Sequence, residues 1–284
     1  MTGCFVALVC TTFYMMYRII FCLSLIVLAS CSDSKKISVP VRNPTAITGS
    51  QFYKQAVAYG WQKRDSLAVL EILGGNMPSF LKKFVPVQAQ IIDATGKKIR
   101  ATYFVSPDYL SLGSDNDWCR VNITPLAAQK IADSFYCFLP TRKMVDDIYQ
   151  AATVKLEPVP MYAFRDSTIT MYQHHLIIEG QRKLRRGLIA GIQKDVVLSG
   201  KILQDKKPDR VAIYGWHKPD GKPIQPLYTG HIFWWVDYSQ AIRLVYRIIY
   251  VNGKPLNYID VLKDPVLQRL LCNEDNCDFY HYTY

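Results

Sequence analysis

The stretch from Gly215 to Gln240, GWHKPDGKPIQPLYTGHIFWWVDYSQ, concentrates side chains that can carry acid–base chemistry. His217 and His231 exchange protons near neutral pH, Asp237 can orient an imidazole, and Ser239 has a hydroxyl that can act as a nucleophile. Both histidines are predicted at loop edges beside strands, where functional side chains are common. Ser239 lacks the G-x-S-x-G context of a nucleophile elbow, which weakens its assignment.

The tryptophans of the same stretch allow two other interpretations. Trp216, Trp234 and Trp235 can pack in the core, with the histidine ring nitrogens bonded to the backbone. They can also form a stacking platform for sugar rings. The stretch as a whole is predicted to be a strand, a Pro/Gly-rich connection and an aromatic core segment.

Lys194 and Asp195 interrupt the apolar run GLIAGIQKDVVL. Neighbouring residues of a strand face opposite sides of the sheet, so at least one of these charges must point toward a covered surface unless the strand lies at an edge. A buried charge is costly without a partner. The pair is therefore either an internal salt bridge or part of a functional site.

A weaker candidate is the pair His175 and Glu179. The two lie four residues apart in a predicted helix, so they share a face and could ligate a metal or form a base with its orienting partner. No third ligand at matched spacing accompanies them, and we therefore predict no metal site, with this pair as the only alternative.

The predicted helices and strands that position these residues come in blocks. They do not follow a strict alternation of strand and helix. This pattern predicts an α+β fold with a largely antiparallel sheet, in a single domain spanning 51–284. Thr124 and Thr141 are predicted helix caps, and Asn252-Gly253 a hairpin turn. The predicted helices are 51–73 with a break near Gly60, 124–138, 141–152, 166–184 and 264–271; the predicted strands are 85–93, 99–106, 109–113, 118–124, 187–199, 210–217 and the two arms of 241–261.

Several common functional motifs are absent from the sequence. It contains no G-x-G-x-x-G, no Walker A and no G-x-S-x-G. These absences argue against nucleotide-binding and α/β-hydrolase folds, and no motif indicates a cofactor.

The N-terminus predicts export. Residues 1–30 hold one basic residue, Arg18, and no acidic residue, and the apolar run IIFCLSLIVLASC ends in small residues. Its last four residues, LASC, resemble the lipobox of bacterial lipoprotein precursors. The resemblance implies that Cys31 is the lipidated first residue of the mature protein. The alternative is a transmembrane helix within 5–30.

Two further expectations concern the same region. Translation starting at Met15 or Met16 would give a signal peptide of ordinary length, so residues 1–14 are predicted to lie upstream of the true start. Residues 32–50 are polar and rich in turn formers, which predicts a flexible tether. The protein is thus expected to be anchored by its lipid to the membrane of the bacterial cell envelope.

Charge and cysteines fit an envelope location. The net charge of +11 becomes +10 without residues 1–31, and Arg185 and Arg186 belong to a basic cluster that could bind an anionic envelope polysaccharide or peptidoglycan. Nucleic acid is not an expected partner of an exported lipoprotein. Cys272 and Cys277 frame a short turn-forming spacer that favours a disulfide, while Cys119 and Cys137 either pair or are buried separately.

Four segments are similar to a family of exported bacterial proteins: TPLAAQKIADSFYCFLPTRKMVDDIY, GIQKDVVLSG, RVAIYGWHKPDGKPIQPL and VDYSQAIRLV. The similarity covers roughly 78–271 and implies no particular reaction. Relatives carry His-Gly after Asp-Tyr-Ser, where this chain has Gln240 and Ala241. The resemblance therefore implies that this chain lacks one candidate catalytic histidine.

Two functional hypotheses follow from the sequence. The first is a hydrolase of envelope glycan or peptidoglycan-type material, with a histidine as general base, Asp237 orienting it, and Lys194, with Asp195 close by, stabilising developing negative charge. The second is a non-catalytic envelope lipoprotein that binds anionic glycan through Trp216, Arg185 and Arg186. Convergence of the candidate residues on one site would favour the first hypothesis.

Overall fold

The structure, a computed structural model, describes residues 34–284. It confirms the predicted α+β architecture with largely antiparallel sheets. The α-helices are α1 Gly49–Ala56, α2 Trp61–Leu73, α3 Pro125–Ser134, α4 Arg142–Ala151, α5 Thr168–Arg182, α6 Lys201–Gln204 and α7 Tyr258–Lys263. The strands are β1 Lys35–Lys36, β2 Lys83–Ile92, β3 Lys98–Val105, β4 Ser111–Gly113, β5 Trp118–Arg120, β6 Cys137–Phe138, β7 Val154–Lys155, β8 Ile189–Ala190, β9 Lys194–Val197, β10 Arg210–His217, β11 Pro223–Ile232, β12 Gln240–Ala241, β13 Val245–Tyr246, β14 Ile248–Val251 and β15 Lys254–Asn257.

The larger sheet is built on the β2–β3 hairpin that the alternating sequence predicts. Its strands run in the order β1-β2-β3-β13-β6, and the β14–β15 hairpin joins at β3. The Oδ1 of Asp93 accepts the backbone N–H groups of Thr95 and Lys97, which fixes the turn. The alternating residues of β2 and β3 pack one face of this hairpin into the core.

The second sheet carries most of the predicted site residues. Its order is β11-β10-β9-β12, and all pairs are antiparallel except β12 with β9. Strand β9 is central, with all four of its residues buried. The parallel register places Gln240 opposite Lys194, and the antiparallel register places Gly215 opposite the same lysine from the other side.

Local capping signals set the helix starts. The hydroxyls of Thr124, Thr141 and Ser167 each accept an N–H from the first turn of α3, α4 and α5. Pro125 occupies the first turn of α3, where its missing N–H has no consequence. The predicted break near Gly60 is the boundary between α1 and α2.

Four predicted elements differ from the structure. The predicted helix 264–271 is only a short 3-10 helix, Leu267–Leu270. The run 187–199 is not one strand, because Gly191 at a φ of 96° separates β8 from β9. The segment around Ile259 and Val261 is helix α7 rather than strand, capped by the Asn257 side chain. The connection after Pro219 is short, and 223–232 form the long strand β11 instead of a loop.

The tether prediction is corrected for the part of it that the structure describes. Lys35 and Lys36 pair with β2, and Ile37 is buried. The Arg42 guanidinium donates to the Oδ1 of Asn76, which lies beyond α2. Residues 35–50 therefore pack on the domain instead of forming a flexible linker.

The predicted signal peptide and the lipidation residue Cys31 lie outside the described residues. Within 34–284, no helix has both the length and the hydrophobicity required to cross a bilayer. Cys272 and Cys277 form the disulfide that their spacing predicts, whereas Cys119 and Cys137 are free and buried separately.

Candidate functional site

Lys194 and Asp195 are both buried in β9, and they have different partners. The Lys194 Nζ lies 3.2 Å from the Asp237 Oδ2. The Asp195 Oδ2 accepts the hydroxyl of Tyr109 at 3.1 Å, and its Oδ1 lies 3.9 Å from the Nε of Arg243. Lys194 and Asp195 thus do not form a salt bridge with each other. Lys194 pairs with Asp237, and Asp195 contacts Tyr109 and Arg243, all of which are distant in sequence.

Asp237 is the centre of a compact charge cluster. Besides Lys194, its Oδ2 accepts a hydrogen bond from the Arg165 guanidinium at 2.8 Å, and its Oδ1 accepts the Ser239 hydroxyl at 2.7 Å. Burial opposes ionisation, but Lys194, Ser239 and Arg165 hold the pKa of Asp237 below its usual value. Burial lowers the pKa of Lys194, although Asp237 counteracts this effect.

Ser239 is a supporting group in this cluster. It is fully buried, and its hydroxyl is engaged by the same carboxylate oxygen that accepts its own backbone N–H. This geometry is that of a local Asx-type turn. The arrangement does not present Ser239 to a substrate as a nucleophile.

The chain bends sharply where β10 passes Lys194. Gly215 and Trp216 have φ values of 107° and 60°, and a positive φ is a strained state for a bulky residue such as tryptophan. The bend interrupts the side-chain alternation of the strand, so Tyr214 and His217, three positions apart, pack against each other. His217 also packs against Tyr149, and the Trp216 ring packs edge-on against Tyr238.

Several buried polar atoms around Tyr238 and Lys194 have no hydrogen-bond partner among the described residues. They are the Nε1 of Trp216, the Nε2 of Gln240, the Oε1 of Gln193 and the Nε2 of His174. His174 packs against the Tyr238 ring at 5.1 Å, and the Nε2 of Gln193 donates to the Tyr238 carbonyl. Buried polar atoms are nearly always paired in folded proteins, so a group of unpaired ones marks a place for a further polar partner, an ordered water or a ligand.

We call this set the Lys194–Asp237 site: Lys194, Asp237, Arg165, Trp216, Gln193, Gln240, His174 and Tyr238. Lys194 and Arg165 share one carboxylate, so the cluster carries an excess positive charge. Arg165, with 47% of its side chain exposed, connects the buried groups to the surface.

His231 lies at the end of β11, half-buried, within electrostatic reach of this site. Burial and the charge of Lys194 lower its pKa, so its imidazole is neutral at pH 7. The neighbouring Trp234 and Trp235 are 39% and 42% exposed, so the core position predicted for them is wrong. Trp216 alone of the three is buried.

His217 belongs to a different cavity. Its Nε2 lies 2.9 Å from the Asp146 Oδ1, and that same oxygen accepts the Tyr214 hydroxyl. The cavity has a volume of about 500 Å³ and is also bordered by Tyr149 and Asp220. Asp146, rather than the expected Asp237, is therefore the carboxylate partner of His217.

His175 and Glu179 are part of a third group, centred on the buried Arg120. The guanidinium donates to both oxygens of Asp108 and to the Oε1 of Glu179. The Nδ1 of His175 accepts the backbone N–H of Arg120 at 3.4 Å. Among the described residues no cluster of three metal-ligating side chains occurs, and this pair serves an ion-pair network instead.

The remaining candidates stand apart from these groups. Arg185 caps the end of α5 by donating to the carbonyls of Gln181 and Arg182, and Arg186 is exposed. A larger, mostly apolar cavity of about 690 Å³ lies between α2 and α3, and none of the predicted site residues lines it.

Comparison of the chain with protein-family models, with curated proteins and with solved structures found no match.

Of the residues that the sequence proposed for the site, Lys194, Asp237, Ser239 and Trp216 lie together in the structure, with His231 nearby. The sequence did not indicate their partners. Arg165 lies in an irregular segment with no motif, and Asp146 looks like an ordinary helical surface residue. Gln193 could have been predicted as a site residue from the sequence, because it is polar and directly precedes the Lys194-Asp195 pair in an apolar run.

Proposed function

We propose that the protein is a cell-envelope lipoprotein that binds an acidic glycan at the Lys194–Asp237 site. The observation that carries this proposal is the group of buried, unpaired polar atoms beside a cluster with excess positive charge. A ligand carboxylate would complement Lys194 and Arg165. Ligand hydroxyls would satisfy the Trp216 and Gln240 donors and the Gln193 acceptor.

Acidic glycan suits this site better than a neutral sugar or an apolar ligand. Two of the unpaired atoms, in Trp216 and Gln240, are donors, and two cations, Lys194 and Arg165, share the single carboxylate of Asp237. The lipoprotein-type N-terminus would hold the domain where such material, including peptidoglycan fragments, is found. The overall positive charge would favour its approach.

We expect Trp216→Phe and Gln240→Met to weaken the binding of muramidase-released peptidoglycan fragments at least tenfold without lowering the stability of the ligand-free protein. Each change removes an unpaired buried donor and keeps most of the side-chain volume. Removing a desolvated polar group that has no partner is neutral or stabilising, by about 1 kcal/mol. Titration calorimetry and urea unfolding measure the two effects.

Lys98→Met, which removes an exposed lysine at the far end of β3, is the matched control and should bind like the unaltered protein. Neutral N-acetylglucosamine oligomers should bind more weakly than the acidic fragments. If both site variants bind the fragments normally, or if both lose stability, the unpaired donors have a structural role and the proposed site is wrong.

Hydrolysis of the same material is the second candidate, and His231 favours it. Its imidazole is neutral at pH 7 and lies within the electrostatic influence of both Lys194 and Asp237. General-base catalysis contributes about a hundredfold or more. We therefore expect His231→Asn to reduce any fragment turnover by about two orders of magnitude while binding is retained.

His217→Asn is the control for this measurement, because His217 belongs to the other cavity. Turnover products are followed by chromatography. If the unaltered protein binds the fragments but does not cleave them, the hydrolase hypothesis is wrong and only the binding function stands. If His217→Asn loses turnover and His231→Asn does not, the catalytic site is the cavity that contains Asp146 and His217.

A further inference from the structure

The outer face of α5 is apolar. Its exposed positions are Ile169, Gln173, Leu176, Ile177 and Gly180, and none of them is charged. Ile169, Leu176 and Ile177 follow the i, i+7, i+8 spacing that places side chains on one side of a helix with 3.6 residues per turn. Ile169, Leu176 and Ile177 are 53%, 51% and 43% exposed.

Bulky apolar residues flank α5 at both of its ends. Tyr162 and Phe164 precede α5 and are 90% and 81% exposed, and Leu184 follows it at 89%. Phe164 and Leu184 have positive φ values of 47° and 61°. Large apolar side chains on such backbones are energetically unfavourable in water, which indicates that their exposure serves a contact.

The charges around the face are predominantly positive. Within 162–186 the basic residues are Arg165, Arg182, Lys183, Arg185 and Arg186, and the acidic ones are Asp166 and Glu179. Glu179 is engaged by Arg120 and Arg182. A second copy of this chain would place like charges opposite one another, whereas an anionic lipid surface would complement them.

We propose that this α5 face, defined as Tyr162, Phe164, Ile169, Leu176, Ile177 and Leu184, docks on the surface of a bilayer that contains anionic phospholipid. The apolar side chains enter the boundary between head groups and acyl chains, and the basic residues contact the lipid phosphates. The contact is separate from the N-terminal lipid. It would fix the orientation of the domain on the membrane instead of merely holding the domain near it.

Hydrogen–deuterium exchange of the full-length protein tests this proposal. Vesicles of equimolar phosphatidylglycerol and phosphatidylcholine should slow exchange at 161–165 and 183–187 at least threefold, whereas the β2–β3 turn at 94–97 should not change. Phosphatidylcholine alone should protect these segments less. High salt should weaken the difference between the two lipid mixtures.

The decisive variant is Phe164→Asn with Leu184→Asn. Asparagine adopts positive φ readily, so the folded protein should be as stable as before or more so, while the protection by vesicles is lost. Leu203→Asn, at a 57% exposed leucine on α6, is the control and should keep the protection. Trp216→Phe should also keep it, which separates this contact from the ligand site.

Two results would overturn the proposal. One is equal exchange with and without anionic vesicles. The other is protection that grows with protein concentration in the absence of vesicles, because that would show that a second copy covers the face.

Discussion

Replacement of Arg120 by methionine should destabilise the protein by about 3–5 kcal/mol, because it leaves a carboxylate buried without its main partner. The guanidinium donates to both oxygens of Asp108, at 2.9 and 2.6 Å, and Asp108 is 0% exposed. Arg120 also pairs with Glu179. Methionine fills much of the same volume, so the loss is mainly electrostatic.

The double variant Arg120→Met with Asp108→Asn should recover a large part of the lost stability, since the buried negative charge is then absent. Arg186→Met, at an exposed arginine, should change stability by less than about 0.5 kcal/mol. Urea unfolding provides all these values. If the single variant costs no more than the Arg186 control, the Arg120–Asp108 pair does not stabilise the fold.

The free energy of unfolding should fall by about 2 kcal/mol between pH 7 and pH 5. Burial and the nearby Arg120 lower the pKa of His174 and of His175 to about 3. The folded pKa of each lies below the unfolded value of about 6.5. Each histidine therefore contributes stability that is present above pH 6.5 and is lost as the pH falls toward 3.

Asp195 acts in the opposite direction over part of this range. Burial raises its pKa to about 6, above the unfolded value of about 3.9. The folded state takes up a proton before the unfolded state does, which stabilises it as the pH falls from 6 toward 4. The two histidines together outweigh this effect by about 2 kcal/mol at pH 5.

Substitution of both histidines by asparagine separates the opposing contributions. The double variant should lose most of the decline below pH 6.5. Asp195 remains and favours the folded state as the pH falls, whereas His231, whose pKa is also lowered, opposes it. Urea unfolding at constant ionic strength gives the comparison. A decline as steep as that of the unaltered protein would mean that other groups cause the acid sensitivity.

The helices and turns that were predicted correctly are determined by residues close together in sequence. The caps at Thr124 and Thr141, the β2–β3 hairpin and the Asn252-Gly253 turn each depend on residues within a few positions of one another. Helix α7 was mistaken for a strand because Ile259 and Val261 are β-branched, while the Asn257 cap and the packing against the core decide otherwise.

The site could be predicted only in part, because its pairings join residues far apart in sequence. Arg165 meets Asp237, and Asp146 meets His217, each across some seventy residues. The bend at Gly215 and Trp216 is the other cause. It brings Tyr214 and His217, three positions apart, to the same carboxylate of Asp146, whereas a regular strand would direct them to opposite faces.

The main chain of 238–240 is held from both sides by side-chain amides. Asn122 donates to the carbonyls of Tyr238 and Gln240, and Gln193 donates to the Tyr238 carbonyl. The segment behind the site is thus rigid before any ligand arrives. Binding there would lose little conformational entropy, so affinity would depend on the quality of the contacts rather than on the cost of ordering a loop.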